Sequence, residues 1–225
     1  MKTVRRIATW TIIGLVAAFA LLNAGLYLFS GSIVGPAPAP LQLPPLSLAT
    51  TSASSASPDG TWMAGDGSVA GFRVPESFLV QSGTIVGRTS AVTGSLVIAQ
   101  NEISSGSFHV DLRQLSILVG GKQNTTIFQI LDTSRYPEAT LTLTQPIVFA
   151  SLPTNGQTIA SHATVALAMH GITHPVTFTV MARSTGSVLE ATSSAPVLVS
   201  DWGIQSPFGI HDNAVIEFLL VLRRG

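Results

Sequence analysis

The sequence predicts an all-β domain, an antiparallel barrel of about eight strands with one short helix, preceded by a single transmembrane helix. Three features predict it. From Thr61 onward apolar and polar residues alternate with period two. Turn residues separate these runs at hairpin spacing. The one long apolar run lies at the N-terminus, ahead of a stretch rich in proline and serine.

Ile7 to Phe29 is uncharged and apolar. At ~1.5 Å per residue a helix of that length reaches roughly 35 Å, enough to cross a ~30 Å hydrocarbon core with some tilt. Lys2, Arg5 and Arg6 precede it, which places the N-terminus in the cytoplasm and the rest of the chain outside. A cleaved signal peptide is the alternative, since Ala18-Phe19-Ala20 resembles a cleavage site, although the apolar run exceeds the usual ~7–15 residues. Residues 1–29 are therefore read as basic start and anchor, 30–57 as linker and 58–225 as the barrel domain. In the linker, Pro36, Pro38, Pro40, Pro44 and Pro45 favour an extended chain, and the Ser/Thr/Ala run to Ser57 favours a flexible one. A membrane tether and a plain spacer are both open for it.

Charges mark the wet face of each predicted strand. Ser107 to Gln114 sets His109, Asp111 and Arg113 against Phe108, Val110 and Leu112. Val176 to Arg183 sets Thr177, Thr179 and Arg183 against Val176, Phe178 and Val180. Val215 to Arg223 sets Glu217 and Arg223 against Ile216, Phe218, Leu220 and Leu222. Val69 to Val74 sets Arg73 against Phe72 and Val74, and Thr140 to Thr144 alternates Thr with Leu141 and Leu143. Such strands bury one face and wet the other. Short connections at Asn155-Gly156, Gly171 to Thr173 and Ser184 to Ser187 imply hairpins, and closure into a barrel removes exposed edges. Gly121 to Asp132 lacks alternation and reads as the short helix, closing one barrel end with Phe128 over it.

Composition narrows the function. Only 10% of residues are charged. With the three basic residues before the anchor set aside, the domain holds eight basic and eleven acidic residues, so no basic stripe is available for nucleic acid. The chain has no cysteine, which excludes disulfides, thiol nucleophiles and thiolate metal sites. His170 and His174 have the spacing of a helical zinc pair but span a hairpin turn next to Pro175, so no metal site is expected. His211-Asp212 with a serine could suggest a triad, but no Gly-x-Ser-x-Gly elbow occurs. Asp201 and Asp212 flank a loop, with no spacing that fixes them as a carboxylate pair. Gly65-Asp66-Gly67 reads as a turn before a strand, with no helix to hold phosphate. No catalytic residues and no cofactor are assigned.

What remains is the inward apolar set: Phe72, Phe108, Leu112, Phe128, Leu141, Leu143, Leu167, Phe178, Phe218 and Leu220. Leu167 is included as the large side chain between Ala166 and Ala168. An eight-stranded barrel is wide enough either for side-chain filling or for one ligand, and periodicity leaves both open.

Several segments together resemble the YceI-like family. They are Thr61-Trp62, SVAGFRVPE (Ser68 to Glu76), VGRTSAVTGSL (Val86 to Leu96), LDTSRYPEATLTLTQPI (Leu131 to Ile147), HGITHPVTFTV (His170 to Val180), and DWGIQSP followed by VIEFLLVL. Their order and spacing carry the resemblance over about Gly60 to Arg224. It implies an extended, lipocalin-like antiparallel barrel that binds isoprenoid chains such as polyprenyl lipids or quinone tails. It implies no catalytic set. Lys122-Gln123-Asn124 departs from the Arg-Asp pair common in the family before the short helix, which leaves head-group preference open. The leading expectation is a membrane-tethered, extracytoplasmic carrier of an apolar lipid, with a homodimer left open. A filled structural or stress-related envelope barrel comes second, and a lipid-acting enzyme last.

Overall fold

The computed structural model describes residues 36–45, 58–78, 81–119, 122–149, 156–185 and 187–225. The expected anchor, Ile7 to Phe29, and the linker residues 30–35 and 46–57 lie outside them. Among the described residues no helix is long and apolar enough to cross a membrane.

The strands are β1 (Gly60–Ala64), β2 (Val69–Phe78), β3 (Gln81–Thr89), β4 (Val92–Ala99), β5 (Glu102–Asp111), β6 (Ser116–Val119), β7 (Lys122–Gln123), β8 (Glu138–Leu143), β9 (Ile147–Val148), β10 (Ile159–Met169), β11 (Ile172–Thr185), β12 (Val188–Leu198) and β13 (Asn213–Arg224). Among the described residues one α-helix, α1, spans Thr126–Ile130. Eight strands close a ring in the order β1-β4-β5-β8-β10-β11-β12-β13, completed by pairing of β13 with β1. The long β13 serves two neighbours: Val215 to Leu219 pair with β2, and Leu222 to Arg224 with β1. From β2 the sheet continues through β3, β6 and β7. This is the antiparallel barrel with one short helix that the alternation predicts.

Local chemistry explains the corners. β10 and β11 join through His170 and Gly171, both at positive φ (51° and 76°), in a two-residue hairpin one position earlier than expected. Tyr136 packs on this turn, its ring 4.5 Å from that of His170. On β4, Gly94 sits at φ 127°, and a Cβ there would lie 2.1 Å from the carbonyl oxygen of Ser107. Only glycine lets β4 and β5 approach so closely.

Two buried tryptophans belong to two separate core clusters. Trp202, 1% exposed, donates from Nε1 to the Leu167 carbonyl at 3.2 Å. Trp62, 4% exposed, donates to the Pro58 carbonyl at 2.8 Å. Each ring keeps its apolar body buried and its one donor satisfied.

The wet-face assignments need correction at two charges. Glu217 and Arg183 point outward from the barrel yet are buried. The proline-rich residues 36–45 lie across them: the amide of Leu41 donates to Glu217 Oε2 at 3.1 Å, and Arg183 Nη2 donates to the Pro44 carbonyl. This part of the linker is docked chain, which alternation within the strands could not reveal. The strand expected over Ser107 to Gln114 also stops early. It ends at Asp111, whose carboxylate accepts from the Arg113 amide and caps the 3₁₀ turn Leu112–Gln114.

Candidate functional site: an apolar bore in two chambers

Among the described residues the inward faces of the strands line two large apolar cavities. The first has about 940 Å³ of empty space, mouth included. Phe72, Leu112 and Leu167 are among its walls, with Ile127, Ile130 and Leu131 from the α1 region. Its mouth carries Ser206, Pro207, Ile210 and His211. The second has about 1000 Å³, its opening likewise included, and is walled by Phe108, Leu143, Phe178 and Leu220, with Ile147 and Phe149 among the others. Leu141 and Phe218 line both. They form the waist between the chambers.

Alternation on β13 builds much of this surface. Ala214, Ile216, Phe218, Leu220 and Leu222 point inward in sequence, the first three lining the first chamber and the last three the second. Eight residue steps at ~3.4 Å give roughly 27 Å of apolar wall along the strand. Glycine gives width at one point. A Cβ on Gly87 would lie 2.3 Å from Phe72 Cε1, so the Phe72 ring occupies the space that glycine leaves.

Nine of the ten residues expected to face the interior lie on these walls. Phe128 does not: it packs against the core without lining either chamber. The helical period explains this, because Ile127, Ile130 and Leu131 share one face and the position after Ile127 falls off it. Ile127 and Ile130 lie in the same non-alternating stretch, where the strand period marks no inward face. Leu112 lines the first chamber from the 3₁₀ turn rather than from a strand.

The polar candidates are structural in placement. His170 Nδ1 and His174 Nε2 each lie 2.9 Å from a backbone oxygen, of Trp202 and Asp201 respectively, and so latch the 3₁₀ turn Val199–Trp202 to the β10–β11 hairpin. Among the described residues no three His, Asp or Glu side chains converge to hold a metal ion. At the rim of the first chamber Ser77 Oγ lies 3.0 Å from His211 Nε2. Asp212 does not orient that ring; it accepts from the amide and hydroxyl of Ser200 at 2.9 and 2.8 Å. The triad arrangement is therefore not assembled.

A closed antiparallel barrel with an apolar interior defines the lipocalin-like class. Within it, the chain belongs to the YceI-like domain family, whose pattern matches residues 62–222. The fold is similar to that of a polyisoprenoid binding domain from Saccharophagus degradans, at 13% identity and a TM-score of 0.55, covering 74% of this chain and 99% of that one. It is also similar to a mutant CJ YceI protein, at 11% identity and a TM-score of 0.51, covering 67% of this chain and 91% of that one. At such identities the likeness is one of fold. No curated protein is significantly similar in sequence.

Proposed function

We propose that this barrel is a binding module, not an enzyme, that shelters an isoprenoid or similar apolar chain, and that the N-terminal segment holds it to the outer side of the cell membrane. The observation that carries the reading is the pair of apolar chambers meeting at Leu141 and Phe218. Each CH₂ buried there would contribute about 0.8 kcal/mol, so a long chain could bind with few polar contacts. The solved polyisoprenoid binding domain of the same fold supports this ligand class. The nine wall residues named above are the proposed ligand contacts, and the hydrophobic run Ile7 to Phe29 supports the tether.

Organic extraction of the purified full chain followed by mass spectrometry tests the ligand. A co-purifying polyprenyl or quinone-tailed lipid is expected, and a lipid-free protein that also fails to take up such a chain would reject the reading. Protease added to intact protoplasts tests the location. Loss of the barrel is expected, and full protection would reject an outward-facing domain.

A further inference from the structure

The docked proline-rich segment gives the barrel a direction. It crosses the outer wall in order. Arg73 Nη1 donates to the Pro38 carbonyl at 2.6 Å, and Arg88 donates to the Ala39 carbonyl. Leu41 engages Glu217 through its amide and Thr192 through its carbonyl, the latter at 3.2 Å. Arg183 then holds the Pro44 carbonyl. Arginines suit this task, because a chain of prolines offers carbonyl acceptors but few donors.

The crossing is diagonal. Arg73 pairs with Val215 of β13, Gly71 beside Arg88 with Glu217, Thr192 with Leu219, and Glu190, the partner of Arg183, with Val221. Arg73 therefore lies at the level of the first chamber, between wall residues Phe72 and Val74. Arg183 lies at the level of the second, beside Ala182. The strap enters at the first chamber's end and leaves at the other.

We propose that this strap turns the mouth of the first chamber toward the membrane and holds it close. The inference rests on the tether reading given above. Eight residues, 30–37, separate the end of the apolar run from Pro38, the first residue the barrel holds, and fully extended they reach at most about 29 Å. The mouth presented in this way carries Pro207 and Ile210, and the intervening Phe208 is 89% exposed. This rim suits contact with a lipid surface. Val148, 73% exposed beside the second chamber, faces away.

The chain has no cysteine, so single labels can be placed without background. Gln205→Cys marks the first rim and Val148→Cys the second, both at exposed positions. Each labelled full chain is reconstituted into phosphatidylethanolamine–phosphatidylglycerol vesicles carrying a head-group quencher. Flotation of the protein with the vesicles tests the tether, and loss of fluorescence tests the orientation. The expected result is flotation with quenching at 205 and little at 148. In Arg73→Ala/Arg183→Ala, which cuts the strap at both ends, the difference between the labels should shrink. Flotation with equal quenching in the parent, or with stronger quenching at 148, overturns the orientation and leaves the tether standing. A chain that does not float overturns the tether and the orientation with it.

Discussion

The rings of Phe178 and Phe218 meet edge to face, their centroids 5.8 Å apart and their planes at 65°. Phe178 lines only the second chamber, whereas Phe218 lines both, so this contact lies where the chambers meet. Edge-to-face pairs add about 0.5–1.5 kcal/mol beyond their buried area, which favours holding Phe218 in place.

Phe218→Ala should widen the waist and cost about 3 kcal/mol, the lower end for a buried phenylalanine, because the ring already borders empty space on both sides. Urea denaturation checks the value. An unchanged midpoint would mean that the ring is not packed as described.

Gly87→Ala should displace Phe72 and cost about 1–3 kcal/mol by overpacking. Adding Phe72→Leu should recover part of that loss, because the two positions compete for one space. Additive losses in the double variant would contradict the contact.

Glu217→Ala should destabilise the chain by about 2–3 kcal/mol. That is less than the ~3–5 kcal/mol for breaking a wholly buried pair, since its ion-pair partner Arg88, whose Nη2 donates to Glu217 Oε1 at 2.8 Å, is 26% exposed. The same change should expose the Leu41 amide to fast hydrogen exchange while exchange within the barrel strands is preserved. A Leu41 amide that exchanges at the rate of a free peptide in the parent would contradict the docked strap.

Asp111 accepts from Arg113 Nε and Nη2 at 2.9 and 3.0 Å and from Gln114 at 3.0 Å. The Arg113 bonds first, and the Gln114 bond second, hold its carboxyl well below the usual carboxylate range. The folded-state value is depressed, so these bonds stabilise the turn fully above the unfolded value of about 3.9, and their contribution is lost as pH falls below it toward the folded value. Arg113 is 64% exposed, so solvent screens the pair and carboxyl titration by NMR is a better readout than melting. An ordinary midpoint in the parent, or no upward move in Arg113→Ala, would contradict the assignment.

How far the sequence reveals this molecule depends on the kind of contact. Period-two alternation identified the inward side of β2, β8, β11 and β13, because each has one apolar face opposed to Thr, Arg or Glu. It also found the walls Phe72, Leu141, Leu143, Phe178 and Phe218. It failed where the backbone leaves that period: Leu112 belongs to a 3₁₀ turn, and Phe128 lies off the inward face of a helix five residues long. It misjudged Glu217 and Arg183, since a charge on an outward face reads as solvated whenever the cover comes from more than a hundred residues away in sequence. The proline spacing suggested extension, but the carbonyl-to-arginine pairings that dock the segment have no local signature.

The proposed function requires an interior that is empty space for an apolar chain. The most direct measurement is the melting temperature together with co-purified lipid in Leu143→Trp, which adds bulk to the second chamber, and in Leu167→Trp, which adds it to the first. An open bore predicts loss of lipid with a nearly unchanged melting temperature, most clearly at partly buried Leu143. A filled core would instead be overpacked at a cost of about 1–3 kcal/mol. A sharply lowered melting temperature in both variants, with no lipid in the parent protein, would mean a filled core and no bore.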